Sequence, residues 1–242
     1  RMLGRARLPL DEAAGDLAGR IHPLLEVDGE REEVEAGPRI LPSYAPKSSE
    51  NASDELRRLR VEVRTGEPVT SVDETGLVVG GQHLEAGTVL WAAGVAASRV
   101  GSCLGAPCDK NGRVAVQPDL TVPGRPEIFV IGDLALFTHQ GGQPLPGVSP
   151  VAMQQGRHVA RAIRERLAGR PAPPFRYWDK GSMAVVGRSA AVAEVLGLKL
   201  RGFPAWLAWC ALHIFYLIGF RNRFIVMFEW AWAYVSYQRG AR

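Results

Sequence analysis

Asp133 lies near the end of the run Ile128-Phe-Val-Ile-Gly-Asp-Leu-Ala135, an apolar, β-branched stretch that closes on Gly-Asp. Such a run predicts a buried parallel strand with a sterically open carboxyl end, where an α/β sheet receives a ligand. Gly132 would let the ligand approach the backbone, and the carboxylate of Asp133 would accept hydrogen bonds from polyol or ribose hydroxyls. A plain turn after a strand is the competing account of the same residues. Trp91-Ala-Ala-Gly-Val95 repeats the form, an apolar strand ending in the small residues Ala93 and Gly94, where a flat cofactor would pass near the backbone. A third group follows Ser149-Pro150, which predicts a helix towards Leu167 with Ser149 as N-cap and Pro150 at the first helical position. Its first turns carry Met153, Gln154 and Gln155. Unpaired N–H groups and the helix dipole favour negative charge there, and neutral amides hydrogen-bond a carbonyl-bearing substrate without titrating. A solvated helix face is the alternative for the glutamine pair.

Positioning these groups takes an α/β framework, and the texture between Val34 and Leu167 has one. Glu35-Ala-Gly-Pro-Arg39 reads as a turn and Ser48 to Arg60 as a helix. Short strand-like runs follow at Val61 to Thr65, Val69 to Val72, Leu77 to Val79 and Thr88 to Trp91. Gln140 to Gly147 is a Gly/Pro-rich loop, and Phe175 to Val195 alternates as a sheet hairpin would. A helix is expected around Leu10 to Leu25, followed by a polar run at Asp28 to Glu33, and no signal peptide opens the chain, whose first residue is Arg.

With 242 residues there is room for one large or two small domains, and the net charge of +4 is spread without the basic stripe that nucleic acid requires, so no nucleic-acid partner is expected. Cys103, Cys108 and Cys210 are too few and too irregular for a disulfide framework or a zinc site, and they read as packing residues.

The last forty residues change character. Phe203 to Phe220 is apolar and aromatic, Arg221-Asn-Arg223 interrupts, and a second aromatic run follows; four of the six Trp residues (206, 209, 230 and 232) lie here. As a helix the first run would rise about 27 Å, at the edge of spanning a bilayer. His213 and Glu229 inside the runs, the aromatic richness and the Arg pair favour two helices lying in the membrane interface, with Arg reaching to lipid phosphates. A buried helical hairpin or a dimer seam is the alternative, and a true transmembrane span is a third.

The segments "EAGPRIL", "VLWAAGV", "PDLTVPGRPEIFVIGDLA", "PLPGVSPVAMQQGRHVARAI", "FRYWDKGSMAVVGR" and "GFRNRFIVMFEWAWAYVSYQRGAR" together resemble the C-terminal portion of a type II NADH dehydrogenase, the single-subunit NADH:quinone oxidoreductase that pumps no protons. The resemblance covers Val34 to Arg242. It implies an incomplete pair of Rossmann-like dinucleotide-binding domains with a C-terminal α-helical membrane-associated segment: the remainder of an NADH-binding domain at 34–86, the C-terminal part of a FAD-binding domain at 87–170, and a quinone and membrane-association region at 171–242, with 1–33 unassigned. It further implies that Glu35 holds the adenosine ribose of NADH, that Gly132 and Asp133 hold the ribityl and phosphate part of FAD, and that Ala93 and Gly94 line its approach. Met153, Gln154 and Gln155 would sit at the isoalloxazine ring beside a quinone, and Lys180 would lie in the quinone region, where a cation stabilises a reduced flavin or quinol anion; an exposed structural lysine is its alternative. The implied activity is FAD-dependent electron transfer from NADH to a membrane quinone, by a peripheral protein on the cytoplasmic face of a bacterial inner membrane, with a homodimer as one option for its assembly.

The chain departs from that pattern in having no G-x-G-x-x-G, the loop that cradles a pyrophosphate, and in the charged run DGEREEV at 28–34, where an apolar strand leading into Glu35 is expected. The first thirty residues look unrelated to the family. A non-catalytic membrane-associated fragment is therefore the second functional reading.

Overall fold

The computed structural model describes residues 24–27, 30–92, 94–217 and 219–236, with backbone alone at 24–27 and 30. These residues form two compact units, one made of 24–92 and 180–236 and the other of 94–179. Most of the helix expected over Leu10 to Leu25 lies outside the described residues; its last two positions, Leu24 and Leu25, are in a strand.

In the first unit β1 (Leu24–Val27) pairs antiparallel with β2 (Glu30–Glu35). Helix α1 (Pro46–Arg58) then leads to β3 (Val61–Thr65), which lies parallel to β2 with Arg31 opposite Val61 and Glu35 opposite Thr65. This is one strand-helix-strand crossover of a dinucleotide-binding fold. The segment read as a charged interruption is thus a strand from Glu30 onward, paired on both sides, while its first two residues lie outside the described residues. The ladder satisfies its backbone, and Arg64 lies 3.3 Å from Glu32 on the neighbouring strand, so pairing and a cross-strand ion pair override poor β propensity. A meander of β4 (Val69–Val72), β5 (Gly76–Val79) and β6 (Gln82–Glu85) follows, and β7 (Thr88–Leu90) returns to pair with β1, so that Trp91 falls just outside the predicted strand.

The second unit opens with a 3-10 turn at Arg99–Leu104 and continues through β8 (Val114–Ala115), β9 (Thr121–Val122), β10 (Arg125–Phe129), β11 (Ala135–Leu136) and helix α2 (Ser149–Leu167). Its core joins Val114, Leu120, Val122, Phe137, Val151 and Phe175, with the rings of Phe137 and Phe175 edge to face at 5.3 Å. The strand expected across Ile128 to Ile131 differs from expectation: β10 is an antiparallel hairpin partner of β9, and Ile131 is 38% exposed. Only β11, beyond Asp133, pairs in parallel, with β8. An apolar run reports burial, whereas the direction of its partner is decided by the rest of the sheet. Helix α2 also starts one residue earlier than predicted. Extended Val148 is the N-cap and its carbonyl accepts the N–H of Val151 at 3.0 Å, so Ser149 is the first helical residue and its hydroxyl caps nothing.

The chain re-enters the first unit with β12 (Ser182–Gly187), β13 (Ala190–Val195) and β14 (Leu198–Arg201), an antiparallel sheet. The predicted hairpin is therefore present from Ser182; residues 175–181 are not strand. Gly181, at φ +99°, has room for no side chain, since a Cβ there would stand 1.9 Å from the carbonyl oxygen of Glu194. One face of this sheet packs Val192 with Ile40, Tyr44 and Ala52, and the other packs Ala191 and Ala193 against Ala205 of helix α3 (Gly202–Tyr216). A turn at Gly219 (φ +86°) leads to helix α4 (Phe220–Val235), so Arg221 and Arg223 lie in the first turn of α4 rather than between the helices. Trp209 stacks on Trp230 at 5.5 Å and Trp206 meets Tyr234 at 5.3 Å, which joins α3 to α4. On the far side of α4, Phe220, Phe224, Phe228 and Trp232 recur every four residues as one exposed stripe, and no described residue of α4 is buried. At about 22 and 24 Å these helices fall short of a bilayer's ~30 Å hydrocarbon core, and no described helix is long and apolar enough to cross a membrane.

Candidate functional site

Gly132 and Asp133 occupy a 3-10 turn at Gly132–Leu134, entered from extended Ile131. Gly132 adopts φ +67°, a conformation that disfavours a side chain, and a Cβ there would meet Ala152 of α2 at 3.5 Å. Its N–H donates to Oε1 of Gln155 at 2.6 Å. Gln155 is 1% exposed, so this buried amide fastens the turn to the second turn of α2. Asp133 is exposed, and Gly147, at the end of the Gly/Pro-rich loop, would bring a Cβ to 3.4 Å from its Oδ1. The carboxylate, the bare glycine backbone and the start of α2 are thus gathered within the second unit. Such an arrangement accepts hydrogen bonds from hydroxyls at Asp133, admits a ligand against backbone at Gly132 and Gly147, and favours negative charge at the helix end.

The two glutamines divide. Gln154 is half-buried, and its amide donates from Nε2 to the carbonyl of Trp178 at 2.9 Å while its Oε1 accepts the Trp178 N–H at 3.0 Å. Gln140 makes the same pair of bonds to Tyr177, both at 2.9 Å. Two side-chain amides therefore substitute for a neighbouring strand along Tyr177-Trp178, and the indole of Trp178 stands 64% exposed. The expectation that Gln154 and Gln155 offer free amides meets a simple physical obstacle, because buried backbone groups need partners and these side chains supply them. Met153 is half-buried beside them. Gln140 and Gly147 escaped the reading of the sequence, since nothing local in a Gly/Pro-rich loop signals contacts with residues 14 or 37 positions away.

Gly94 is exposed at φ +95°, and Ala93 lies outside the described residues. At the far end of α2 burial pushes the Asp119 carboxyl up, but hydrogen bonds from Thr121 and the Arg166 guanidinium at 2.8 Å more than offset it and hold it below the usual carboxylate range. Burial pulls the His158 imidazole below its ordinary value, and its ring meets Phe175 edge to face at 5.4 Å.

In the first unit Glu35 ends β2 at the carboxyl edge of the parallel pair. It is fully buried, and its Oε1 accepts the N–H of Gly37 at 2.7 Å. A carboxylate at this strand end is where a ribose hydroxyl is received in a dinucleotide-binding fold. Lys180 belongs to this unit too and is half-buried ahead of β12. Among the described residues no cluster of side chains could hold a metal ion.

Residues 23–156 match the family described as pyridine nucleotide-disulphide oxidoreductase, and residues 179–236 match the NDH2 C-terminal domain. A type II NADH:quinone oxidoreductase of Mycobacterium tuberculosis is 40% identical over 219 residues, which is 86% of this chain and 46% of that one. Its counterpart in Staphylococcus saprophyticus is 36% identical over 80% of this chain and 51% of its own. The chain thus spans about half the length of the curated relatives it matches. Among solved structures, NDH2 from Plasmodium falciparum in complex with NADH superposes with a TM-score of 0.73 at 16% identity, covering 84% of this chain and 57% of that one. The sulfide:quinone oxidoreductase of Aquifex aeolicus follows at 0.57 and 13% identity, over 79% and 50%. These two likenesses concern the fold.

Proposed function

We propose, from the premise that this chain belongs to the pyridine nucleotide-disulphide oxidoreductase family and matches the C-terminal portion of a type II NADH dehydrogenase, that it serves in passing electrons from NADH through FAD to a membrane quinone. The observation that carries the reading is the gathering of Asp133, Gly132 and the start of α2. The exposed carboxylate suits the ribityl hydroxyls of FAD, the bare backbone at Gly132 suits close approach, and the positive helix end suits the charge of a reduced flavin. When bound, FAD supplies the two-electron chemistry. The chain's own part is to hold and orient it. Gln155 fixes the turn that bears Asp133, Gln154 fixes Trp178, Ala93 and Gly94 line the approach, and Met153 faces the ring system. Lys180 provides a cation for the reduced flavin or quinol, and Glu35 receives the adenosine ribose of NADH. The aromatic stripe of α4 supports a peripheral attachment to the membrane, and the reading extends to the cytoplasmic face of a bacterial inner membrane, with lipid and quinone as partners and a homodimer as a further assembly.

The absence of any G-x-G-x-x-G in the 242 residues favours a second reading, a membrane-associated fragment without catalysis. Adding FAD to the chain in mild detergent, desalting, and measuring visible absorbance separates the two. Stoichiometric flavin in the parent chain, lost in Asp133→Ala at unchanged thermal stability, is the expected result. A variant that keeps its flavin removes Asp133 from the site, and a parent chain that binds none leaves the second reading.

A further inference from the structure

Strand β14 is an edge strand with two different faces. Its register sets Lys199 opposite Glu194 and Arg201 opposite Val192, so both cations project on the side covered by α1, whereas Leu198 and Leu200 lie on the side of α3. Lys199 and Arg201, with Leu200 between them in the strand, line together with Lys47, Ser48 and Asn51 of α1 a cleft of about 450 Å³ that lies wholly within the first unit.

The charges around this cleft do not cancel. Glu50 lies 3.0 Å from Lys47. Glu194 accepts the Ala45 N–H at 2.9 Å and the Ser48 hydroxyl at 2.5 Å, and these bonds, with the Lys199 and Arg39 charges, hold its carboxyl below the usual range despite burial. Arg39 donates to the carbonyls of Tyr44 and Pro42, and Arg201 donates to Oδ1 of Asn51 at 3.1 Å, a neutral partner. Lys47, Lys199, Arg201 and Arg39 therefore face two carboxylates, Glu50 and Glu194, the second of them already engaged by the Ala45 N–H and the Ser48 hydroxyl. The amide of Asn51 and the guanidinium it orients add directional donors to the excess charge.

We propose that this cleft binds a phosphate group, carried by an anionic lipid headgroup or by a soluble phosphate ester. The lipid is the source favoured by the surroundings: the opposite face of the same strand exposes Leu198 (66%), and Phe203 (50%) begins α3 immediately after it, so a cationic cleft and an apolar surface meet along one edge. An edge of that kind suits the boundary between headgroups and acyl chains. The lipid source rests on the peripheral-membrane reading above; the phosphate chemistry does not.

The test compares the full chain, Lys199→Gln with Arg201→Gln, and Arg58→Gln, an exposed cation of α1 outside the cleft, in two assays. Cosedimentation is measured with phosphatidylcholine vesicles and with vesicles that also contain phosphatidylglycerol, and glycerol phosphate is titrated while the amide resonances of Ser48 and Arg201 are followed. Phosphatidylglycerol should strengthen binding of the parent chain. The double variant should lose about 25-fold of that gain, roughly fivefold per cation, while keeping its affinity for neutral vesicles, and Arg58→Gln should lose much less. Glycerol phosphate should shift both resonances in the parent chain only. Shifts without any vesicle gain support the cleft and assign it to soluble esters. Absence of both, or an equal loss in Arg58→Gln, overturns the proposal. Failure to sediment with either kind of vesicle removes the membrane reading, and the titration still decides whether the cleft takes phosphate.

Discussion

Helices α2 and α4 are of similar length, yet they relate to the rest of the molecule in opposite ways. α2 buries Val151, Gln155 and Ala162 and turns its charged residues outward, so its pattern is explained by its own unit. α4 is rich in large apolar side chains and buries none of its described residues. It touches α3 through Trp230 and Tyr234, and on the other side it presents the stripe of Phe220, Phe224, Phe228 and Trp232. Among the described residues nothing in its own unit covers that apolar side, and an exposed apolar stripe of this kind is what a membrane contact would use. The comparison separates residues that hold their own unit together from residues on which the proposed membrane contact rests.

The largest effect should come from removing the stripe. Replacing Phe220, Phe224, Phe228 and Trp232 together by Ser should weaken cosedimentation with phosphatidylcholine vesicles by more than about tenfold, since each ring contributes apolar area to the membrane contact, with little change in folding stability. Unchanged cosedimentation would refute the membrane role of α4. A shift from dimer to monomer in sedimentation velocity would instead assign the stripe to a seam between copies.

A second substitution pair sharpens the contrast through stability. Phe137 is 1% exposed and packs against Phe175, so Phe137→Ala should cost about 3–5 kcal/mol in urea denaturation. Phe228 is 71% exposed, and Phe228→Ala should stay within about 0.5 kcal/mol. Equal losses would mean that α4 carries core weight and that the contrast is wrong.

The smallest effect is electrostatic and confined to the second unit. Burial pushes the Asp119 carboxyl up, but hydrogen bonds from Thr121 and the Arg166 guanidinium outweigh it and hold the group below the usual carboxylate range. A carboxyl whose folded pKa is depressed adds stability above its unfolded pKa and loses it as pH falls through the folded value. The parent chain should therefore lose stability below about pH 4, and Asp119→Asn should flatten that slope by less than about 1 kcal/mol, because the pair is partly solvated. Parallel slopes in urea denaturation at pH 6 and pH 3 would remove Asp119 from the account.

Much of the framework was legible in local pattern. Val61 to Thr65, Val69 to Val72 and Leu77 to Val79 read as strands and are strands, helix α1 falls within two residues of expectation, and two aromatic helices close the chain. Periodicity and turn chemistry act over a few residues, and a linear sequence displays them directly. The Gly132-Asp133 pair as a place open to a ligand was also visible, because the residue types themselves state the chemistry they permit, whereas Glu35 stood out through the family resemblance and read locally as part of a turn.

What the sequence did not contain in readable form was partnership at a distance. Glu30 to Glu35 is a strand because two neighbours pair with it, and Phe129 pairs antiparallel because β9 turns back beside it. Gln154 and Gln155, read as amides waiting for a ligand, are spent on the backbones of Trp178 and Gly132. The types and spacing of its residues determined by themselves that this protein has strands, amphipathic and aromatic helices, and a Gly-Asp pair open to a ligand. Tertiary structure alone decided which polar groups already have partners and which side of each helix is left without cover, because a hydrogen bond or a packed face is settled by residues that the fold brings together from distant parts of the chain.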